Sequence, residues 1–185
     1  MVENLNISPY SILAITFTNK AAKEMKERVE HLIGDRAKDM WISTFHALCV
    51  RILRRDIEKI GYNRSFVIYD SQDQLSLIKD CIKECNLRED SVKPRTVLSA
   101  ISGAKDKLLG PKDFEERYAG DFKLSRISKV YTLYQKKLKS NNALDFDDLI
   151  YRTVELLRND EFVRDFYQRK FQYIMVDEYQ DTNHA

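Results

Sequence analysis

Apolar positions fall first into short unbroken runs and then into helical stripes, and the change divides the chain. Residues 11–17 are almost all apolar, as a strand covered on both faces requires. Thr18 then stands where a helix cap belongs, and Gly34 where a left-handed turn ends that helix. Between them Ala21, Ala22, Met25, Val29, Leu32 and Ile33 recur at helical spacing. Residues 41–43 predict a second strand. Thr44 caps a second helix with Phe45, Leu48, Cys49, Ile52 and Ile60 on a broad apolar face up to Gly61. Strand, helix, strand, helix at this spacing is α/β grammar.

From residue 71 the pattern is helical. Ser71 with Gln74 reads as a capping box for a helix to about residue 85, with Leu75, Ile78, Ile82 and Cys85 inward. Pro94 and Pro111 each open a further helix, over roughly residues 95–107 and 112–118. A longer helix over residues 124–140 carries Leu124, Ile127, Tyr131, Tyr134 and Leu138 on one stripe. Residues 145–157 form a helix with an acidic first turn, which the helix dipole favours. Strand character returns at residues 171–176, with Tyr173 to Val176 an apolar run of the buried kind. The predicted fold is α/β. Residues 1–45 and 171–185 supply part of a parallel sheet, and residues 46–170 are an all-helical insertion.

Composition narrows the class. Of 185 residues, 43% are hydrophobic and 32% charged, the balance of a water-soluble globular chain. No apolar stretch approaches the roughly 20 residues of a membrane helix, so no membrane partner is expected. Nothing near the start resembles an export signal. Three cysteines, an odd number, argue against a disulfide framework and fit a reducing cytoplasm. Cys81 and Cys85 share a helix face without a nearby histidine, so a half-buried face reads better than a zinc site. The net charge is only +2, but it is uneven. Residues 122–144 hold six bases (Lys123, Arg126, Lys129, Lys136, Lys137 and Lys139) and no acid. Such a tract with interleaved aromatics suits phosphate contacts, or is simply a solvated helix face.

Chemistry concentrates at the strand ends. Asp177 and Glu178 follow the apolar run at Val176, in the Walker B manner of nucleotide-hydrolysing α/β proteins. There Asp177 would hold Mg²⁺ through water, because Mg²⁺ keeps most of its hydration. Glu178 would orient or deprotonate the attacking water. Surface strands also end in acids, so the pair alone is weak; Tyr179, Gln180, Asp181, Thr182 and Asn183 make the motif specific. In Phe17-Thr18-Asn19-Lys20 an aromatic ring, a helix start and a cation meet at a strand end, where a base can stack and phosphate can bind. Thr44, Phe45 and His46 repeat the layout on the next strand. The plainer reading makes Phe17 core and both threonines caps. Asp145, Asp147 and Asp148 look like metal ligands, yet capping and the dipole explain an acidic first turn equally well.

Asp177-Glu178-Tyr179-Gln180-Asp181 resembles motif II of superfamily 1 DNA helicases of the UvrD/Rep/PcrA group, most of all its PcrA branch. Residues 12–25 resemble motif Ia, residues 41–47 motif Ib, and residues 144–150 a further signature ahead of motif II. The resemblance covers nearly the whole chain. It implies a partial RecA-like (P-loop NTPase) sheet interrupted by a helical subdomain. It also implies an ATP-dependent 3′-to-5′ DNA helicase of bacterial cytoplasm, acting in repair or replication on single-stranded DNA and duplex junctions, with accessory proteins among its partners. ATP and Mg²⁺ would be its cofactors. Glu178 and Gln180 would be catalytic, Gln180 sensing the γ-phosphate, and Asp181 would brace the loop. Phe17, Thr18, Asn19, Lys20, Thr44, Phe45 and His46 would face DNA.

A P-loop requires G-x-x-x-x-G-K-[ST]. None of Gly34, Gly61, Gly103, Gly110 and Gly120 starts or ends that pattern. The expectation is therefore a helicase segment from motif Ia to motif II that binds DNA without hydrolysing ATP by itself. A helicase–nuclease subunit is the other relative with similar motifs.

Overall fold

The computed structural model describes residues 7–87 and 92–182. The described residues form two compact units, residues 7–56 with 155–182 and residues 57–87 with 92–154. The divisions fall after residue 56 and before residue 155, rather than at 45 and 171 as the sequence suggested.

The first unit is built on a parallel sheet of β1 (Ile12–Thr16), β2 (Trp41–Thr44) and β5 (Tyr173–Val176), in the order β2-β1-β5. Leu13 pairs with Trp41 and Thr16 with Thr44; on the other side Ile12 pairs with Tyr173 and Ile15 with Val176. Parallel neighbours need a crossover, and α1 (Asn19–Ile33) provides it between β1 and β2. β1 is central, and all five of its residues are buried. β5 is an edge, so Ile174 and Met175 are exposed, at 61% and 41%. The buried strand expected there from its apolar run is corrected by that position. The stripe on α1 is likewise only half covered: no α1 residue is fully buried, and Leu32 is exposed.

Two helices within the span expected for the insertion belong with the sheet. They are α2 (Phe45–Asp56), which the sequence pattern predicts, and α8 (Glu161–Lys170), which it does not. Packing explains the assignment. The Trp41 ring meets Tyr167 and Phe171 edge-on, at 6.5 and 5.0 Å between centroids. The Tyr167 hydroxyl donates to the Asp56 carboxylate at 3.1 Å. Asp160 caps α8 by accepting from the Val163 amide.

The second unit is helical: α3 (Ser71–Glu84), α4 (Pro94–Lys105), α5 (Pro111–Arg117), α6 (Phe122–Ser140) and most of α7 (Phe146–Asn159). Two-residue strands β3 (Val67–Ile68) and β4 (Ala143–Leu144) pair in parallel beside them. The α6 stripe is as expected, with Ile127, Tyr131, Tyr134 and Leu138 fully buried. α3 is capped differently. Asp70, not Ser71, is the N-cap; its carboxylate accepts from the Gln72 and Asp73 amides, and Asp73 accepts in return from the Asp70 amide. Cys81 is buried, which pushes its thiol up to about 11, and Cys85 is raised by the same cause. No cluster of metal-ligating side chains occurs among the described residues.

The acidic first turn of α7 is more than a cap. Asp145 and Asp148 are buried together with Lys105. The Lys105 ammonium lies 2.6 Å from Asp145 and 3.0 Å from Asp148. The Tyr134 hydroxyl donates to Asp145 at 2.9 Å, and Gln135 donates to Asp148 at 3.2 Å. Each carboxylate also accepts from the other's backbone amide, at 2.8 and 3.4 Å. Buried charges persist only when paired and hydrogen-bonded in this way. The cluster ties α4, α6 and α7 together.

Candidate nucleic-acid and metal interface

In a parallel sheet of this kind, ligands bind beyond the carboxyl ends of the strands. Here that edge assembles three chain segments: residues 17–20 after β1, residues 44–46 at the end of β2, and residues 177–180 after β5. The ladder runs into the site, because the Asp177 amide donates to the Ile15 carbonyl at 2.9 Å.

Thr18 and Thr44 play the same local part. The Thr18 hydroxyl accepts from the Ala21 amide at 3.1 Å, and the Thr44 hydroxyl accepts from the Ala47 amide at 3.3 Å. Thr18 is exposed, whereas Thr44 is buried to 7% exposure, so Thr44 presents little of itself to a ligand. Asn19 and Lys20 are exposed in the first turn of α1, and the Lys20 side chain extends into solvent 4.0 Å from Glu24. His46 is half-buried in the first turn of α2.

Neither α1 nor α2 has an acid in its first turn, whereas α3, α5, α7 and α8 each do. A helix start carries partial positive charge and unsatisfied amides. At α1 and α2 no side-chain carboxylate answers it, which leaves the position suited to a phosphate.

Phe17 and Phe45 come together across β1 and β2, 5.2 Å between ring centroids and inclined at 50°. Phe17 is 38% exposed, and Phe45 is half-buried behind it. Phe17 is thus no core residue of its strand. It is a ring held by a second ring, with part of its surface open.

On the third segment the chain turns sharply. Glu178 has φ 53 and ψ 45, the left-handed region that non-glycine residues rarely occupy. Its amide donates to its neighbour Asp177 at 3.1 Å, and its carboxylate accepts from the Gln180 amide group. Tyr179–Asp181 is a single 3₁₀ turn closed by Thr182, whose hydroxyl donates to the Tyr179 carbonyl at 2.8 Å. Asp177, Glu178 and Gln180 are all exposed. The side chain of Asp181 and the whole of Asn183 lie outside the described residues. One carboxylate at a strand end, with one oxygen tied to a backbone amide, matches the need of a Mg²⁺ ion that keeps its waters. A triphosphate needs a cradle of backbone amides and a lysine, and the sequence pattern for one is absent from these residues. The six-base tract differs from expectation in being partly engaged: Lys137 pairs with Glu84 at 2.5 Å, and Lys139 donates to the Ile60 carbonyl at 3.4 Å.

The sequence model of the UvrD/REP helicase N-terminal domain matches residues 1–185. The ATP-dependent DNA helicase PcrA of Bacillus subtilis (strain 168) is 57% identical over 180 residues, covering 97% of this chain and 24% of that protein. PcrA of Staphylococcus epidermidis (strain ATCC 12228 / FDA PCI 1200) is 52% identical over 185 residues, covering 100% of this chain and 25% of that protein. PcrA of Staphylococcus aureus (strain NCTC 8325 / PS 47) is 51% identical over the same span. The chain thus spans about a quarter of the length of these curated relatives.

Proposed function

The chain belongs to the UvrD/REP helicase family, and on that premise we propose that its carboxyl edge is the strand-contacting and metal-facing surface of an ATP-dependent 3′-to-5′ DNA helicase. Phe17, backed by Phe45, stacks on an unpaired base. The amides at the starts of α1 and α2, with Thr18, Asn19, Lys20 and His46, hold the adjoining phosphates, while Thr44 acts beneath them by capping α2. Asp177 carries Mg²⁺ through water, and Mg²⁺ supplies charge neutralisation at a bound nucleotide. Glu178 orients the attacking water, and Gln180, which donates to the Glu178 carboxylate, senses the γ-phosphate. The full-length motor acts in bacterial cytoplasm on single strands and duplex junctions during repair or replication, alongside accessory proteins. By themselves these residues bind the strand but do not turn over ATP.

The observation that carries the reading is the Phe17–Phe45 pair at the ends of adjacent strands, between two helix starts without acids. Its position one strand away from Asp177 supports a link between strand contact and the metal side. The test is binding of a fluorescent oligothymidylate. Phe17→Ala should weaken it by about 1–3 kcal/mol, the value of one base stacked on an aromatic ring. Affinity should fall as salt rises, with a shallow slope set by few phosphate contacts. Unchanged affinity in folded Phe17→Ala would sink the assignment.

A further inference from the structure

The opposite end of the same strands carries a second set of rings and cations. α8 has two apolar faces where packing requires one. Val163 and Tyr167 are buried, but Phe162 is 84% exposed and Phe166 is 37% exposed. Phe162, Phe166 and Tyr10, itself 55% exposed, line a surface hollow of about 520 Å³ together with Asp165, Arg169 and Lys170.

Cations alternate with the rings. The Lys170 ammonium sits 3.7 Å from the Tyr10 centroid and 4.6 Å from that of Trp41. Arg51 lies 3.5 Å over the other ring system of this layer, Trp41, and Arg55 lies 3.5 Å over Phe166. Four cations (Arg51, Arg55, Arg169 and Lys170) face two carboxylates, Asp56 and Asp165, at 3.6 and 3.7 Å from Arg55 and Arg169. The excess positive charge bears on Tyr10 as well, whose hydroxyl is lowered from its ordinary value by Lys170.

We propose that this amino-terminal edge of the sheet is a second contact surface for single-stranded nucleic acid, separate from the carboxyl edge. Open rings stack on unpaired bases irrespective of sequence, and the cations between them meet phosphates. A protein partner would also use aromatic and arginine anchors. The excess of cations over carboxylates among these described residues favours a polyanion whose every repeat carries both a ring and a phosphate. The surface lies roughly 16 Å from Phe17, the length of five strand residues, so the two sites can be perturbed independently.

The only tryptophan, Trp41, lies in this layer and reports on it. Oligothymidylate should quench Trp41 fluorescence in the 185-residue chain. The quench should persist in Phe17→Ala. In Phe162→Ala/Arg169→Ala the dissociation constant should rise about tenfold or more, from one lost stack and one lost phosphate contact. Both side chains are at the surface, and circular dichroism checks the fold. Binding and quench unchanged in the double variant would overturn the inference while leaving the carboxyl-edge reading intact. Full displacement of the oligonucleotide signal by an equal concentration of a Glu-rich peptide would also overturn it, in favour of an acidic protein partner. Loss in the double variant with no effect of Phe17→Ala would uphold it and sink the carboxyl-edge reading instead.

Discussion

Replacing Lys105 by methionine tests the buried cluster directly. Methionine keeps the length and apolar bulk of the stem and removes only the ammonium. Two short charge-assisted bonds disappear, 2.6 Å to Asp145 and 3.0 Å to Asp148. Bonds to charged groups contribute about 1.5–3 kcal/mol each, and breaking one partner of a buried ion pair costs about 3–5 kcal/mol. Both estimates agree on a loss of about 3–5 kcal/mol, a large share of a typical domain's 5–15 kcal/mol. Arg152 lies 3.7 Å from Asp148, farther than Lys105 does. Asp145→Asn should therefore invert its sign: destabilising in the native chain, stabilising in the Lys105→Met background, where it removes an unpaired charge.

The pH dependence follows. Burial already holds the Asp148 carboxyl above the usual carboxylate range, and Lys105 pulls it down. Without Lys105 it rises further. A carboxyl whose folded pKa is raised binds its proton before the unfolded chain does, so its stabilising contribution is present at low pH and is lost as pH rises through the folded pKa. The deficit of Lys105→Met should shrink between pH 7 and pH 5. Urea unfolding followed by far-ultraviolet circular dichroism reads it, and amide exchange in α4, α6 and α7 localises it. Trp41 fluorescence reports the other unit and is the wrong probe. A loss under about 1 kcal/mol, or Asp145→Asn simply adding its own loss in the double variant, would refute the electrostatic reasoning.

Two further outcomes are expected. Asp70→Ala should cost about 1 kcal/mol in the urea transition through loss of the α3 cap, whereas Ser71→Ala should stay within about 0.5 kcal/mol; equal effects would return the cap to Ser71. The 185-residue chain with Mg²⁺, ATP and single-stranded DNA should hydrolyse at background rate, unchanged in Glu178→Gln; hydrolysis that depends on Glu178 would show that these residues hold the triphosphate without a P-loop.

What was legible in the sequence was what local signals decide. Thr18 and Thr44 sit at strand-to-helix junctions, and the hydroxyl caps form where the pattern put them. Pro94 and Pro111 each open a helix. What escaped depends on neighbours in space. β5 has the composition of a buried strand, but its place at the sheet edge exposes Ile174 and Met175. α8 was missed because apolar Phe162, Val163, Phe166 and Tyr167 lie on two faces and blur the helical period. Lys105 was overlooked because lysines are so rarely buried. A signal was there: Lys105 stands four residues after Ile101 and eight after Val97, on the apolar stripe of α4, with Asp145 and Asp148 later in the chain to receive its charge.

The carboxyl edge shows why caps alone could not identify a site. Each helix start has several orphan amides, and a threonine cap satisfies one. Among the described residues, four of the eight α-helices, α3, α5, α7 and α8, add a first-turn carboxylate that answers the remaining positive end, as Asp73 does in α3 and Asp113 in α5, whereas α4 and α6 do not. α1 and α2 add none. Their neighbour β5 ends instead in acids that point the chain away through a left-handed turn at Glu178. The sheet thus carries helix starts without a first-turn acid and strand-end carboxylates on one edge. On the proposed reading, helix starts and carboxylates on one face serve a polyanionic strand beside a metal.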